Sequence, residues 1–380
     1  MALQQCSGIN ALTNAPVQVS FGDSVVRVEG CEAEELFVAP GFVDLQVNGF
    51  AGVDYNDPYA LYSDIARSLR AQFATGVTRL YPTVITGGPE DMRGCLRNLA
   101  DARETVPYGH AIAGFHVEGP HISLEDGPRG AHPREHVRPP DFDEFQRLQT
   151  AARGLIRIVT LSPEWPDALR YIERITREGV VASIGHTMAT AAQIGDAVSA
   201  GATLSTHLGN AAHPVLRRHP NYIWEQLAED RLTAGFITDG IHLDAAFLKT
   251  AIRAKTVARS FLVTDAATPA GAAPGRYMLG DQDVELTADG RVVLAGTDKL
   301  AGSALHMNRG VANVMRLAGV SLAEAMRMAT VNPARAGKVA GREAEFGVGV
   351  GAVADLTQFR VTPAGDVEVV ATWLAGERVY

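Results

Sequence analysis

An eightfold alternation constrains this chain more than any other feature. From about Pro40 onward, short apolar runs rich in β-branched residues alternate with segments whose apolar residues recur every three or four positions. That is the pattern of repeated strand-helix units around a parallel sheet. The runs are Gly41 to Val47, Arg79 to Ile85, Ala111 to Val117, Ile156 to Leu161, Val180 to Ile184, Ala202 to Thr206, Thr233 to Thr238 and Ser260 to Thr264. Between them, YALYSDIARSLRAQFATG, PEDMRGCLRNLADAR and WPDALRYIERITREG predict amphipathic crossover helices. Beyond the eighth run, SALHMNRGVANVMRLAG and SLAEAMRMATVNPARAG read as further helices, with Gly319 and Gly337 where C-caps would fall. The fold class is therefore α/β, a TIM-like (β/α)8 barrel.

The two ends of the chain follow a different period. VQVSFGDSVVRVEG and DVEVVATWLAGERVY alternate apolar and polar residues at strand spacing, with glycine-bearing turns between. Residues 1–38 and 345–380 are read as one small β-sandwich domain built from both termini, and residues 39–344 as the barrel. GVGVGAVADL is a glycine-dense junction where the barrel hands over to that domain.

Composition narrows the function. A net charge of −9 argues against a nucleic-acid surface, which needs clustered Lys and Arg, but leaves room for a small anion held by two or three cations. Cys6, Cys31 and Cys95 show no CxxC spacing, so neither a disulfide framework nor a thiolate zinc site is expected. No apolar run approaches the ~20 residues that span a bilayer, and the N-terminus MALQQCSGIN has no basic segment followed by an apolar one. No membrane association is expected, and a cytoplasmic location is.

In a barrel of this kind the C-terminal strand ends form the active face. Here they read GFHVEGPH, SIGHT, STHLGNAAHP, FITDGIH and LVTDAATPAG. Glu118, His186 and His207 each follow an apolar run, and two imidazoles with a carboxylate suit a divalent ion that keeps a position open for water. An isolated His is commonly a hydrogen-bonded structural residue. Three such groups on one face of one inferred barrel imply a shared site, although periodicity does not fix which His residues belong to it. Asp265 ends the eighth run, where a carboxylate after apolar residues is costly unless it has a task; a helix N-cap is the plain alternative. It is the candidate general acid/base, able to take a proton from water and return it to a leaving amine.

The segments PGFVDLQVNG, HVEGPHIS, RGAHP, SIGHT, THLGNAA, TDGIHLD, LVTDA and LAGSAL, in that order and spacing, resemble the N-acetylglucosamine-6-phosphate deacetylases of the amidohydrolase superfamily. The resemblance covers about residues 39 to 358. It implies a barrel of the metal-dependent hydrolase type, with Glu118, His186 and His207 as metal ligands and Asp265 as the catalytic acid/base. It further implies that His132 contacts the sugar amide or a neighbouring hydroxyl, and that Ala131, Asn210, Ala211 and Asp239 line the substrate site. Leu300, Ala301, Gly302 and Ser303 would close over the sugar. Arg218 and His242 would hold the phosphate, with Arg217 a rival for Arg218 and part of the cluster supplied by a neighbouring subunit of a homodimer.

Many amidohydrolases carry His-X-His on the first strand, where this chain has Gln46 and Asn48. Neutral amides are poor ligands for a transition metal, so one divalent ion per subunit is expected, zinc first, with iron, nickel or cobalt as alternatives. Gln46 and Asn48 are then hydrogen-bonding groups near the water at the metal. Gly209, Ala212 and His121 depart from the family's pattern and are expected beside the sugar. The expected reaction is hydrolysis of N-acetylglucosamine 6-phosphate. Its rivals are another amidohydrolase, acting on a different N-acetyl amino sugar, an N-acyl amino acid or a cyclic amide, and a non-catalytic sugar-phosphate sensor.

Overall fold

The computed structural model describes residues 3–32, 35–339 and 347–380. Eight strands, β1 (Phe42–Val47), β2 (Val77–Ile85), β3 (Phe115–Glu118), β4 (Ile156–Leu161), β5 (Val181–Ile184), β6 (Ala202–Ser205), β7 (Thr233–Ile237) and β8 (Ser260–Val263), hydrogen-bond in chain order. Each neighbouring pair is parallel. The ring closes where Val47 bridges Ala266 and the Asp265 N–H donates to the Gln46 carbonyl at 2.9 Å.

Strands covered on both faces need apolar side chains both ways, which is why the runs read as nearly continuous rather than alternating. Inward residues Val43, Leu45, Tyr81, Ile158, Val181, Leu204, Ile237, Phe261 and Val263 fill the barrel. Outward residues pack under the helices. In the helix Ala168–Arg177 the buried residues are Ala168, Tyr171, Ile172 and Ile175, the three- and four-residue spacing that marks one helical face.

Two expectations shift. The third strand starts at Phe115 rather than Ala111, because Gly109–Ala111 forms a 3-10 turn after Tyr108, whose φ is +62°. The segment SLAEAMRMATVNPARAG forms two helices, Leu322–Ala329 and Val331–Ala336, broken at Thr330. Pro333 accounts for the break, since it has no N–H and its ring would meet the carbonyl of Ala329 in one continuous helix. Gly319 caps its helix at φ +74° as expected.

Both termini form a separate, sheet-rich domain. Strands Gln4–Asn10, Pro16–Phe21, Val25–Gly30, Phe37–Pro40, Leu356–Val361, Val367–Leu374 and Glu377–Arg378 join in one seven-stranded sheet. Phe21 meets Trp373 edge-on at 5.6 Å although three strands separate theirs in the sheet, so the sheet curls until its two halves share a core. The strand Phe37–Pro40 runs through the expected boundary at residue 38, and the boundary at 345 lies outside the described residues.

Beyond β8 the chain adds a three-stranded antiparallel hood, β9 (Gly275–Leu279), β10 (Gln282–Leu286) and β11 (Val292–Leu294), which the barrel pattern does not announce. Its apolar side packs with Ala267, Ala301, Ile85 and Ala131 at the mouth of the barrel.

Candidate active site

Four side chains are delivered to that mouth by one repeated device. Glu118 is the last residue of β3, while His186, His207 and Asp265 each lie two residues past the end of β5, β6 and β8. Those three have φ of +51°, +28° and +50°, a region that costs a residue with a Cβ free energy and is kept where function needs it. The turned backbone aims each side chain over the barrel axis. It is held there by bonds such as Ser123 N–H to the His186 carbonyl (2.9 Å) and Ser303 N–H to the Asp265 carbonyl (2.8 Å).

Glu118, His186 and His207 place one ligand atom each within 4.8 Å of one another, all buried. His186 Nε2 and His207 Nε2 are 3.1 Å apart and lie 3.1 and 3.0 Å from Glu118 Oε1. His186 Nδ1 sits 3.0 Å from the Pro128 carbonyl, which only accepts, so Nδ1 donates there and Nε2 is the nitrogen turned to the cluster. Two imidazole nitrogens and a carboxylate oxygen converging at one buried point are a donor set that fits a divalent metal. Burial works against charge on Glu118, yet the two imidazoles hold its carboxyl well below the usual range. Burial opposes charge on His207 as well, but Glu118 beside it raises its pKa.

Where a second metal would need imidazoles, the first strand supplies amide N–H groups. Gln46 Nε2 donates to Glu118 Oε1 (2.9 Å) and to Asp265 Oδ1 (3.1 Å), and Asn48 Nδ2 donates to Asp265 Oδ1 at 2.6 Å. Gln46 thus bridges the two carboxylates, and Asn48 adds a second donor to Asp265. Burial, followed by the Glu118 charge, raises the Asp265 carboxyl to about 6. Below lies a polar layer in which His116, Thr160, Thr206 and Ser183 are linked by contacts of 2.6 to 2.7 Å.

The cleft above has a cavity volume of about 140 Å³. Of the residues singled out from sequence, Asn48, Glu118, Ala131, His132, His186, His207, Asn210, Ala211, His242, Asp265, Leu300, Ala301 and Gly302 line it. His132 is 6% exposed, its ring centre is 4.3 Å from that of His186, and its Nδ1 has no hydrogen-bond partner. Gln46 stands just beneath. Asp239 is off the wall but grips His242 Nδ1 at 2.6 Å and so orients that ring. Ser303 is also off it, its hydroxyl donating to the Thr264 carbonyl at 2.6 Å.

Arg217 and Arg218 are exposed on the loop after β6, and no Lys or Arg lines the cleft among the described residues. The expected phosphate grip by Arg218 is thus not formed within one chain as described. A loop of short-range bonds alone, such as Asn221 Nδ2 to the Arg217 carbonyl (2.9 Å), does not hold a guanidinium over the barrel.

The model of the amidohydrolase family matches residues 37–379. This chain is an amidohydrolase. Within that family it is 36% identical over 376 residues to the N-acetylglucosamine-6-phosphate deacetylase of Bos taurus, covering 96% of this chain and 88% of the relative. It is 34% identical over 344 residues to the Bacillus subtilis enzyme of the same name, covering 90% and 84%. Among solved structures, an Asp-to-Ala mutant of the Mycobacterium smegmatis N-acetyl-D-glucosamine-6-phosphate deacetylase in complex with N-acetyl-D-glucosamine-6-phosphate superposes with a TM-score of 0.90 at 32% identity, covering both chains fully.

Three departures from the deacetylase pattern turn out not to line the cleft. At Gly209 φ is +103° and a Cβ would meet the Phe247 ring at 2.5 Å, so Phe247 already fills the space a larger side chain would take. His121 is buried against Tyr171 with ring centres 5.1 Å apart, and burial lowers its pKa to about 4. Ala212 packs into the helix layer. Five wall residues escaped the sequence reading: Ile85, Gly130, Ile237, Leu279 and Gln282. The alternation in RYMLGDQDVEL signals the hood that carries two of them, but nothing local says where a hood docks.

Proposed function

We infer that this amidohydrolase hydrolyses N-acetyl-D-glucosamine 6-phosphate to D-glucosamine 6-phosphate and acetate. The observation that carries the reading is the pairing of a three-ligand centre with a separately held carboxylate, Asp265, in one cleft, on a chain matched along its whole length by a deacetylase in complex with that sugar.

Glu118, His186 and His207 would hold one divalent ion, and we assign zinc because two imidazoles and a carboxylate with an open position suit it. Such an ion supplies Lewis acidity that polarises the amide carbonyl and acidifies water. Asp265 accepts the proton of the attacking water at Oδ2, the oxygen left free by Asn48 and Gln46, which both donate to Oδ1. After attack the same carboxyl returns that proton to the amide nitrogen, so that glucosamine departs as an amine. His132 lines the cleft beside His186, and we assign it to donate to the developing oxyanion or a sugar hydroxyl. Asn210, Ala211 and the Asp239-oriented His242 take the sugar and its phosphate end, with Leu300 to Gly302 covering it.

A phosphate dianion calls for a cation, so we assign that role to Arg218, brought in by loop movement or by pairing with a second copy as a homodimer. Three free cysteines suit a reducing cytoplasm, and among the described residues no helix is long and apolar enough to cross a membrane.

Acetate release from N-acetylglucosamine 6-phosphate by zinc-reconstituted protein, run beside the unphosphorylated sugar and the C4 epimer, tests the function. Phosphate-dependent release is the expected result. Faster turnover of the unphosphorylated sugar would remove the phosphate assignment, and no release with metal bound would remove the substrate.

A further inference from the structure

The mouth of the cleft is divided by chemistry. Asn210 and His242 offer polar atoms beyond β6 and β7, with Ile237 at the end of β7 between them, whereas across the barrel Ile85, Leu279 and Leu300 present hydrocarbon beyond β2 and β8, with Gln282 paired to Leu279 in the hood. Ile85 ends β2 directly opposite Glu118 in the strand register, so an apolar side chain stands beside a metal-ligand carboxylate. Beside it lies a second, solvent-open cavity of about 430 Å³, lined in part by Met92, Cys95, Met278 and Gly280. Ile85 lines both spaces, and Leu279 faces the cleft while its neighbours Met278 and Gly280 face the cavity. Ile85 and the hood turn thus border both spaces.

That border is held in place. Asn56 Oδ1 accepts from the Ile85 N–H at 2.8 Å, and Asp54 Oδ2 accepts from the Gly280 N–H at 2.6 Å. Asp54 Oδ1 in turn accepts from the Asn56 N–H at 2.8 Å. One short clamp thus fixes the end of β2 and the turn of the hood relative to each other.

We propose that Ile85, backed by Leu279, sets the length of the acyl group this enzyme accepts by closing the acyl end of the cleft against the neighbouring cavity. The proposal rests on the deacetylase reading above. A secondary amide is planar and trans, so with its carbonyl between Asp265 and the Glu118 centre its acyl carbon and its sugar ring point to opposite sides. Sugar hydroxyls buried against hydrocarbon would lose their partners, which places the ring on the polar side and the methyl against Ile85. An acetyl group ends at that wall. A four-carbon acyl group needs the space Ile85 occupies, and shortening Ile85 to Ala joins cleft and cavity.

The test compares kcat/KM for N-acetyl- and N-butanoylglucosamine 6-phosphate in the unaltered protein, Ile85→Ala, Leu279→Ala and the milder Ile85→Val, with Tm recorded for each. One methylene in an apolar pocket shifts selectivity by about 10- to 200-fold, so the unaltered enzyme is expected to prefer acetyl at least about tenfold. Ile85→Ala should erase or invert that preference, and Ile85→Val should move it the same way by less. An acetyl preference unchanged within about twofold in folded Ile85→Ala, or in Ile85→Val and Leu279→Ala if that variant does not fold, would overturn the wall. The deacetylase reading would stand in that case. No hydrolysis of either sugar by the unaltered protein would overturn both.

Discussion

At the reacting end of the cleft Glu118, His186, His207 and Asp265 are at most 8% exposed and locked by strand-end backbone, whereas Arg217 and Arg218, expected at the phosphate end, lie exposed on a loop. The difference follows from what each end must do. Proton transfer and carbonyl attack need atoms placed to a fraction of an ångström, which rigid strand ends supply. A phosphate remote from the bond being broken contributes binding energy that a mobile or shared cation can deliver late.

Four substitutions or treatments probe that contrast, beginning with the largest effect. Asp265→Asn should lower kcat by about 10²- to 10⁴-fold while zinc content, measured by elemental analysis, and sugar-phosphate affinity stay near their original levels. Activity within tenfold of the parent in that variant would take Asp265 out of the mechanism. Chelation should abolish acetate release, and zinc should restore it in the parent but not in His207→Ala, which is expected to hold less than stoichiometric metal; activity that survives removal of all metal breaks the account of the reacting end.

Arg218→Ala should raise KM for the phosphorylated sugar by about 10- to 100-fold, the scale of a lost charge-assisted hydrogen bond, with kcat little changed. If Arg217→Ala carries that effect instead, the phosphate assignment moves by one residue; if neither does, the open end is not a phosphate site. The smallest effect is on stability. Gly209→Ala should cost ~1–3 kcal/mol in urea unfolding, because it adds a Cβ against Phe247 at a left-handed φ. A neutral result would mean the loop after His207 yields, which would erase much of the contrast between the two ends.

Glu118, His186, His207 and Asp265 were legible as candidates because they follow apolar runs whose strand character is a local property, and the motif resemblance completed the set. Gln46 and Asn48 were legible as hydrogen-bonding groups near the metal water, but not their partners. Their donation to both carboxylates depends on β1, β3 and β8 meeting around the ring. Ser303 and Asp239 were read as substrate contacts, yet the structure turns the first to the Thr264 carbonyl and the second to His242, choices made by backbone direction rather than residue type. Ile85 escaped notice for the opposite reason. As the last apolar residue of a strand it looks like core, and only the docked hood makes it a wall.

Sequence by itself determined the eight strand-helix units, the β character of both termini, and which strand ends carry His and carboxylate, because periodicity and strand-end chemistry are written over short stretches of chain. Tertiary structure alone decided which ligand atoms converge, that Gln46 bridges Glu118 and Asp265, that Phe247 occupies the room beside Gly209, and that Ile85 borders two clefts. Those outcomes depend on contacts between residues tens to hundreds of positions apart. Such distances are settled by closure of the barrel and docking of the hood, not by local preference.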